Sequence, residues 1–150
     1  MYRHILFPHD GSELAIRAEK ECIALAKTLG AKVTAIRVVG LRDFIPEEGV
    51  PRVVRSWVEN ELDSIVRGMP HGQLAELKKH AGANGVECDV VVKLGGEPFK
   101  GIVEQAAESK CDLIVMASHG RTGIEIVWRG SQTVKVLSRC KVPVLVIRSS

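Results

Sequence analysis

Aromatic residues are scarce in this chain: three Phe, two Trp and one Tyr among 150 residues. So few and so scattered, they cannot form a stacking platform for single-stranded nucleic acid. A charge imbalance is also missing. The 21 basic residues against 18 acidic leave a formal charge of +3, too mild to imply a nucleic-acid or membrane-surface partner. There is no Cys-x-x-Cys pair: Cys22, Cys88, Cys111 and Cys140 stand far apart in sequence, which argues against a zinc or dithiol centre and leaves them as expected buried, inert thiols. No apolar run approaches a membrane span, and the opening residues Met1 to Pro8 offer no stretch long enough for a signal peptide, so a cytoplasmic location is expected. Neither Gly-x4-Gly-Lys-Ser/Thr nor a post-strand Gly-x-Gly-x-x-Gly occurs, which speaks against a P-loop enzyme and a dinucleotide dehydrogenase.

What is present is an ordinary globular composition, 45% hydrophobic and 26% charged. A chain of this length buries roughly 68–70% of the surface that its unfolded form exposes, so it needs no disulfide or structural metal. One domain spanning residues 1–150 is expected.

The pattern along the chain alternates strand and helix. Ile5 to Phe7 is a short apolar run that stops at Pro8, followed by the turn formers His9, Asp10, Gly11 and Ser12. Ser12 can cap a helix whose apolar positions Leu14, Ala18, Cys22, Leu25, Ala26 and Leu29 follow the 3.6 period, with Gly30 placed for its left-handed end. Val33 to Val39 completes a strand–helix–strand unit. Residues 40–52 read as an exposed loop. Val54, Trp57, Val58, Leu62, Ile65 and Val66 then form a helical stripe, which Gly68 to Gly72 must kink or break before Leu74, Leu77 and Ala81 resume it. Val86 to Leu94 looks like an edge strand, Pro98 opens a helix with Phe99, Ile102, Val103, Ala106 and Ala107 inward, and Leu113 to Ala117 is a wholly apolar central strand. After a glycine-bearing loop, a helix from Ser131 to about Cys140 leads to Val142 to Ile147, where Pro143 marks an edge.

This alternation predicts a three-layer α/β fold with a five-stranded parallel sheet in the order 3-2-1-4-5. The winding reverses between strands 1 and 4, and ligands bind in that crevice, outside the carboxyl ends of the strands. Pro8, His9, Asp10 and Gly11 lie at one bank, and Ala117, Ser118, His119 and Gly120 at the other. Gly120, Gly123 and Gly130 let the backbone approach a ligand, and Ser131 and Thr133 bring hydroxyls to a helix N-terminus suited to phosphate; serving only as turn and cap is the plainer alternative. Arg121 and Arg129 could pair with phosphates or simply be solvated. His9 and His119, with Asp10, could form a metal or acid–base set; two partly exposed residues lining the cleft is the preferred reading. Trp57 and Trp128 are expected to be packing residues.

Asp10 at the end of the first strand, together with Ala117-Ser118-His119-Gly120, nine further residues and Gly130-Ser131, resembles the universal stress protein family over essentially the whole chain. The family's nucleotide-binding pattern is Gly-x2-Gly-x9-Gly-Ser/Thr; here Ala117 replaces its first glycine. The resemblance implies an adenine nucleotide α-hydrolase-like fold, a homodimer through Val142 to Ile147, and ATP, with or without magnesium, as ligand. It implies that Pro8, His9, Asp10, Val38, Ala117, Gly120, Arg121, Gly130, Ser131, Gln132 and Thr133 form the site, with Asp10 on the ribose, Val38 on adenine and the Gly120/Gly130–Thr133 segment on the phosphates. A dimeric stress-response module that binds ATP ranks ahead of a slow ATP-hydrolysing or phosphate-transferring enzyme, because no general base or magnesium carboxylate pair is evident. A protein-interaction module of the same fold that binds no nucleotide is the third reading.

Overall fold

The structure, a computed structural model, describes residues 1–41, 44–46, 48–68, 72–118 and 132–148. The elements run β1 (His4–Pro8), α1 (Glu13–Leu29), β2 (Lys32–Val39), α2 (Arg52–Gly68), α3 (Gly72–Ala83), β3 (Cys88–Leu94), α4 (Pro98–Glu108), β4 (Leu113–Ser118), α5 (Gln132–Arg139) and β5 (Val144–Arg148). They build a parallel sheet in the order β3-β2-β1-β4-β5, as the alternation of strand and helix predicts. β3 starts at Cys88 instead of Val86 because the Val86 N–H donates to Ala81 O at 2.9 Å, closing the end of α3. β5 starts after Pro143, whose carbonyl accepts from the Ile114 N–H at 2.9 Å.

Side chains alternate across the sheet and give it two apolar faces. Ile5, Phe7, Val33, Ala35, Leu113 and Val115 pack with Ala18, Cys22, Ile23 and Ala26 of α1 and with Leu74, Leu77 and Ala81 of α3. Leu6, Ile36, Ile114 and Met116 pack on the other face with Phe99, Ile102 and Ala106 of α4 and with Val136 of α5. Helix α1 is bounded as its sequence dictates: Ser12 Oγ accepts from the Ala15 N–H at 3.2 Å, and Gly30 ends it at φ +65°. Its buried stripe is Ala15, Ala18, Cys22, Ile23 and Ala26, so Leu14, Leu25 and Leu29 lie at the margin of the face on which they were expected.

Helix α2 departs further from expectation. Val58 is buried, but Val54 is 44% and Trp57 61% exposed, so Trp57 is not a packing residue. In α4, Ala107 is exposed and Gly101 and Gln105 take the inner positions. Cys22, Cys88 and Cys111 are buried free thiols. Burial pushes the Cys22 thiol up to about 12 and the other two up to about 11, which makes them poor nucleophiles. Among the described residues, no helix is long and apolar enough to cross a membrane.

The amino ends of β1 and β4 are stitched together by Asp112. Its carboxylate accepts from the Arg3 N–H at 2.9 Å and the His4 N–H at 2.9 Å, while its own N–H donates to His4 O at 3.0 Å. Desolvation opposes ionisation there, yet the backbone donors outweigh it and hold the carboxyl below its ordinary value. A depressed native pKa stabilises the fold above the unfolded value of about 3.9, and that gain fades as pH falls through the native value. Asp112→Asn should therefore cost about 1–2 kcal/mol at neutral pH. Urea denaturation of both proteins from pH 7 downward should show the gap closing in acid; a gap that widens in acid would refute the assignment.

Candidate functional site

The sheet is not equally closed along its length. β1 pairs with β2 from His4 to Pro8, but with β4 only through Ile5 opposite Leu113 and Leu6 opposite Ile114. The cause is chemical. Arg3 O accepts from Lys32 of β2, His4 O from Asp112 on the β4 side, and the His9 N–H returns to Ile36 O of β2. Odd-numbered residues of β1 thus turn their backbone groups to β2 and even-numbered ones to β4. Pro8 is the residue whose N–H would next face β4, and proline has none. Ladder pairing between the two strands stops there, a parting of the hydrogen bonds that coincides with the predicted reversal point.

One bank of this crevice is the loop after β1. Asp10 is exposed, and its Oδ1 accepts from the Ser12 N–H at 2.9 Å; Oδ2 has no partner among the described residues. Gly11 adopts φ +83°, which strains any residue with a side chain, and a Cβ there would lie 2.7 Å from Gln73 Oε1 and push that side chain aside. Its carbonyl accepts from Gln73 Nε2 at 3.2 Å. His9 corrects the sequence reading: it does not line the cleft, being 2% exposed with its ring edge-on to Phe7 on the α1 face. Its Nε2 lies 2.8 Å from Glu19 Oε1 and its Nδ1 accepts from the Gly11 N–H at 3.0 Å. Among the described residues no three His, Cys, Asp or Glu side chains are grouped to hold a metal; His119 lies outside those residues.

The other bank is the end of β4 and the start of α5. Ala117 pairs with Ile147 of β5 and is not among the residues with positive φ, so its methyl carries no backbone strain. That methyl packs at the edge of the α1-side cluster. Thr133 is buried at the start of α5. Gln132 has a structural partner: its Oε1 accepts from the Phe99 N–H at 2.9 Å, capping α4, while Lys135 Nζ pairs with Glu97 Oε2 at 3.1 Å. These two links fix the amino ends of α4 and α5 to each other. Gly120, Gly123, Arg121, Trp128, Arg129, Gly130 and Ser131 lie outside the described residues.

Val38, at the end of β2, is half-buried against α4. A Cβ at Gly101 would lie 2.7 Å from Val38 Cγ2 and 3.3 Å from Cγ1, so the helix approaches this strand only because position 101 lacks a side chain. Sequence reasoning missed Gly101, Gln73 and Glu19. For Glu19 a signal existed, since it occupies a polar slot between Ala15, Ala18, Cys22 and Ile23 on the buried stripe of α1.

A parallel sheet whose strand order reverses between β1 and β4 defines a doubly wound α/β class. The chain belongs to the universal stress protein family, whose model matches residues 1–148. It is 35% identical over 150 residues to Universal stress protein MJ0531 of Methanocaldococcus jannaschii, covering 99% of this chain and 83% of that protein. The solved structure of MJ0577 from the same organism is 29% identical with a TM-score of 0.78, covering 100% of this chain and 98% of that one. A universal stress protein solved in complex with cAMP shares the fold at 23% identity and a TM-score of 0.69, over 99% and 98% of the two chains.

The Gly101 contact gives a test of the Val38 position. Alanine is favoured over glycine in a helix by about 1 kcal/mol, but Val38 is β-branched and cannot swing its methyls aside. Gly101→Ala should lower stability by about 1–2 kcal/mol in the parent chain, because forced overpacking exceeds the propensity gain. In a Val38→Ala background the same substitution should raise it, and denaturant midpoints that fall in both backgrounds would contradict the packing described.

Proposed function

We propose that this chain binds an adenine nucleotide, ATP foremost, at the mouth of the β1–β4 parting and acts as a dimeric stress-response module whose ligand state alters its contacts with other proteins. The observation that carries this reading is the early end of the β1–β4 ladder at the reversal of strand order, with Asp10 at one bank and the start of α5 at the other. Helix α5 runs into β5, parallel to β4, so its amino end lies at the carboxyl end of the sheet. A helix amino end attracts phosphate. Gly120, Gly130 and Ser131 keep the spacing of the nucleotide-binding pattern, and the cAMP complex indicates that the fold accommodates an adenine nucleotide.

In this reading the free oxygen of Asp10 takes a ribose hydroxyl, and Pro8 and Val38 meet the base. Gly120, Arg121, Gly130, Ser131 and Thr133 surround the phosphates. Ala117 contributes its main chain, which strand geometry leaves undistorted.

Calorimetry on the purified chain is the direct test. ATP should give saturable heat; none at millimolar ligand would sink the proposal. Asp10→Ala should weaken adenosine and ATP alike, whereas Ser131→Ala should weaken ATP more than adenosine. Ala117→Gly should raise ATP affinity by less than about tenfold, equivalent to 1.4 kcal/mol.

For assembly, the edge strand β5 and the residues before it, Val142 to Ile147, carry no charge, and Leu145 is 44% exposed. An uncovered apolar edge of that kind aggregates unless another chain pairs with it. Val144→Lys should therefore give a monomer or an insoluble chain, and a parent chain that sediments as a monomer at micromolar concentration would count against the dimer.

A further inference from the structure

We propose that His9 and Glu19 are positioning residues for the nucleotide site: Glu19 selects the imidazole tautomer that clamps the Gly11 amide, and that clamp aims Asp10 at the ligand. The proposal rests on the reading of Asp10 as a ligand-binding group. Neither His9 nor Glu19 touches the ligand in it.

A backbone N–H can donate only to a ring nitrogen that carries no proton, so the 3.0 Å contact from Gly11 N to His9 Nδ1 leaves Nδ1 bare. The single proton of the neutral ring then sits on Nε2, and it points at Glu19 Oε1, 2.8 Å away. Glu19 is only 13% exposed and can only accept while ionised. It stabilises the Nε2–H tautomer and no other. With the opposite tautomer, two N–H groups would face each other at Gly11 and two acceptors at Glu19.

The clamp has a mechanical consequence. The His9 N–H is fixed to Ile36 O at 2.8 Å, so the residue is anchored to the sheet at its backbone and to α1 at its ring. From that anchor the ring reaches over Asp10 to hold Gly11, and Asp10 in turn holds the Ser12 N–H. Gln73 of α3 holds the Gly11 carbonyl from outside. Each polar backbone group of Gly11 thus has a fixed partner, and Asp10 is left with one oxygen bound and the other without a partner among the described residues. Release of the Gly11 amide would free the torsions on which the direction of Asp10 depends.

The test is a double-mutant cycle read by calorimetry with adenosine and ATP, combined with nitrogen-15 NMR of the histidine ring. In the parent chain His9 Nδ1 should resonate as an unprotonated nitrogen and Nε2 as a protonated one. His9→Phe fills the volume without an acceptor and should weaken adenosine and ATP by the same factor, about tenfold. In an Asp10→Ala background that loss should vanish, because the effect passes through Asp10. His9→Asn should restore most of the affinity, since an asparagine oxygen accepts from the N–H two residues on. Glu19→Gln, which keeps an acceptor for Nε2–H, should bind as the parent does, and Glu19→Leu should not.

A protonated Nδ1 in the parent chain, or an equal loss with and without Asp10, would overturn the proposal. If His9→Phe does not fold, Glu19→Leu carries the same cycle. A parent chain that takes up no nucleotide overturns the binding reading alone. Hydrogen exchange at Gly11 then decides the positioning role, with protection lost in Glu19→Leu and kept in Glu19→Gln as the supporting result and equal protection in both as the refuting one.

Discussion

The early end of the ladder between the two central strands follows from one absent hydrogen atom. Pro8 occupies the position of β1 whose backbone donor would face β4, and with no donor there the ladder between the two central strands ends at Leu6 and Ile114. The β1–β2 ladder is untouched, because His9 on the other side of the strand still donates to Ile36. A proline at this place ends one ladder of the sheet without interrupting the next. Below it, the buried Leu6 and Ile114 seal the core and Asp112 ties the strand entries together, so the parting is confined to the carboxyl end.

An opening between strands is useful only if its banks hold their shape, since groups that must be ordered on binding lower affinity. Both banks are braced by side chains from elsewhere in the chain. Gln132 and Lys135 fasten the start of α5 to Phe99 and Glu97 at the start of α4. Gln73 of α3 and Glu19 of α1 do the same for the loop after β1, the second through His9. The braces come from both helical layers, so packing on each face of the sheet is transmitted to the rim.

The architecture was legible in the sequence because its signals are local and repetitive. Apolar runs bounded by turn formers marked the strands, Ser12 and Gly30 marked the ends of α1, and the unbroken run from Leu113 marked a central strand. The interactions that shape the site were not legible, since they depend on pairs remote in sequence. Nothing near Gln132 announces a cap for α4 thirty-three residues earlier, and nothing in the stretch from Pro8 to Ser12 announces Gln73. His9 was misread for a related reason: its ends-of-strand position suggested the cleft, but odd-numbered residues of β1 face α1, and the polar Glu19 on the buried stripe of α1 was the clue to which face it serves. Trp57 misled in the opposite direction, because helical spacing identifies a stripe without saying whether anything covers it.

Ala117 shows why a departure from a family pattern has to be weighed against the conformation at that position. Glycine is required where φ is positive or where another group approaches the α-carbon closely. Ala117 meets neither condition among the described residues: it continues the ladder of β4 opposite Ile147, and its methyl joins the apolar cluster under α1. Odd-numbered residues of β4 face α1, as Leu113 and Val115 do, whereas α5 lies on the side of Ile114 and Met116. The added carbon is therefore directed away from the helix whose amino end would meet a phosphate. Gly11 presents the contrasting case, with φ +83° and a side chain 2.7 Å from the would-be Cβ. Of the two positions flanking the parting, Gly11 is the one where a side chain would strain the backbone, and Ala117 is the one where it does not.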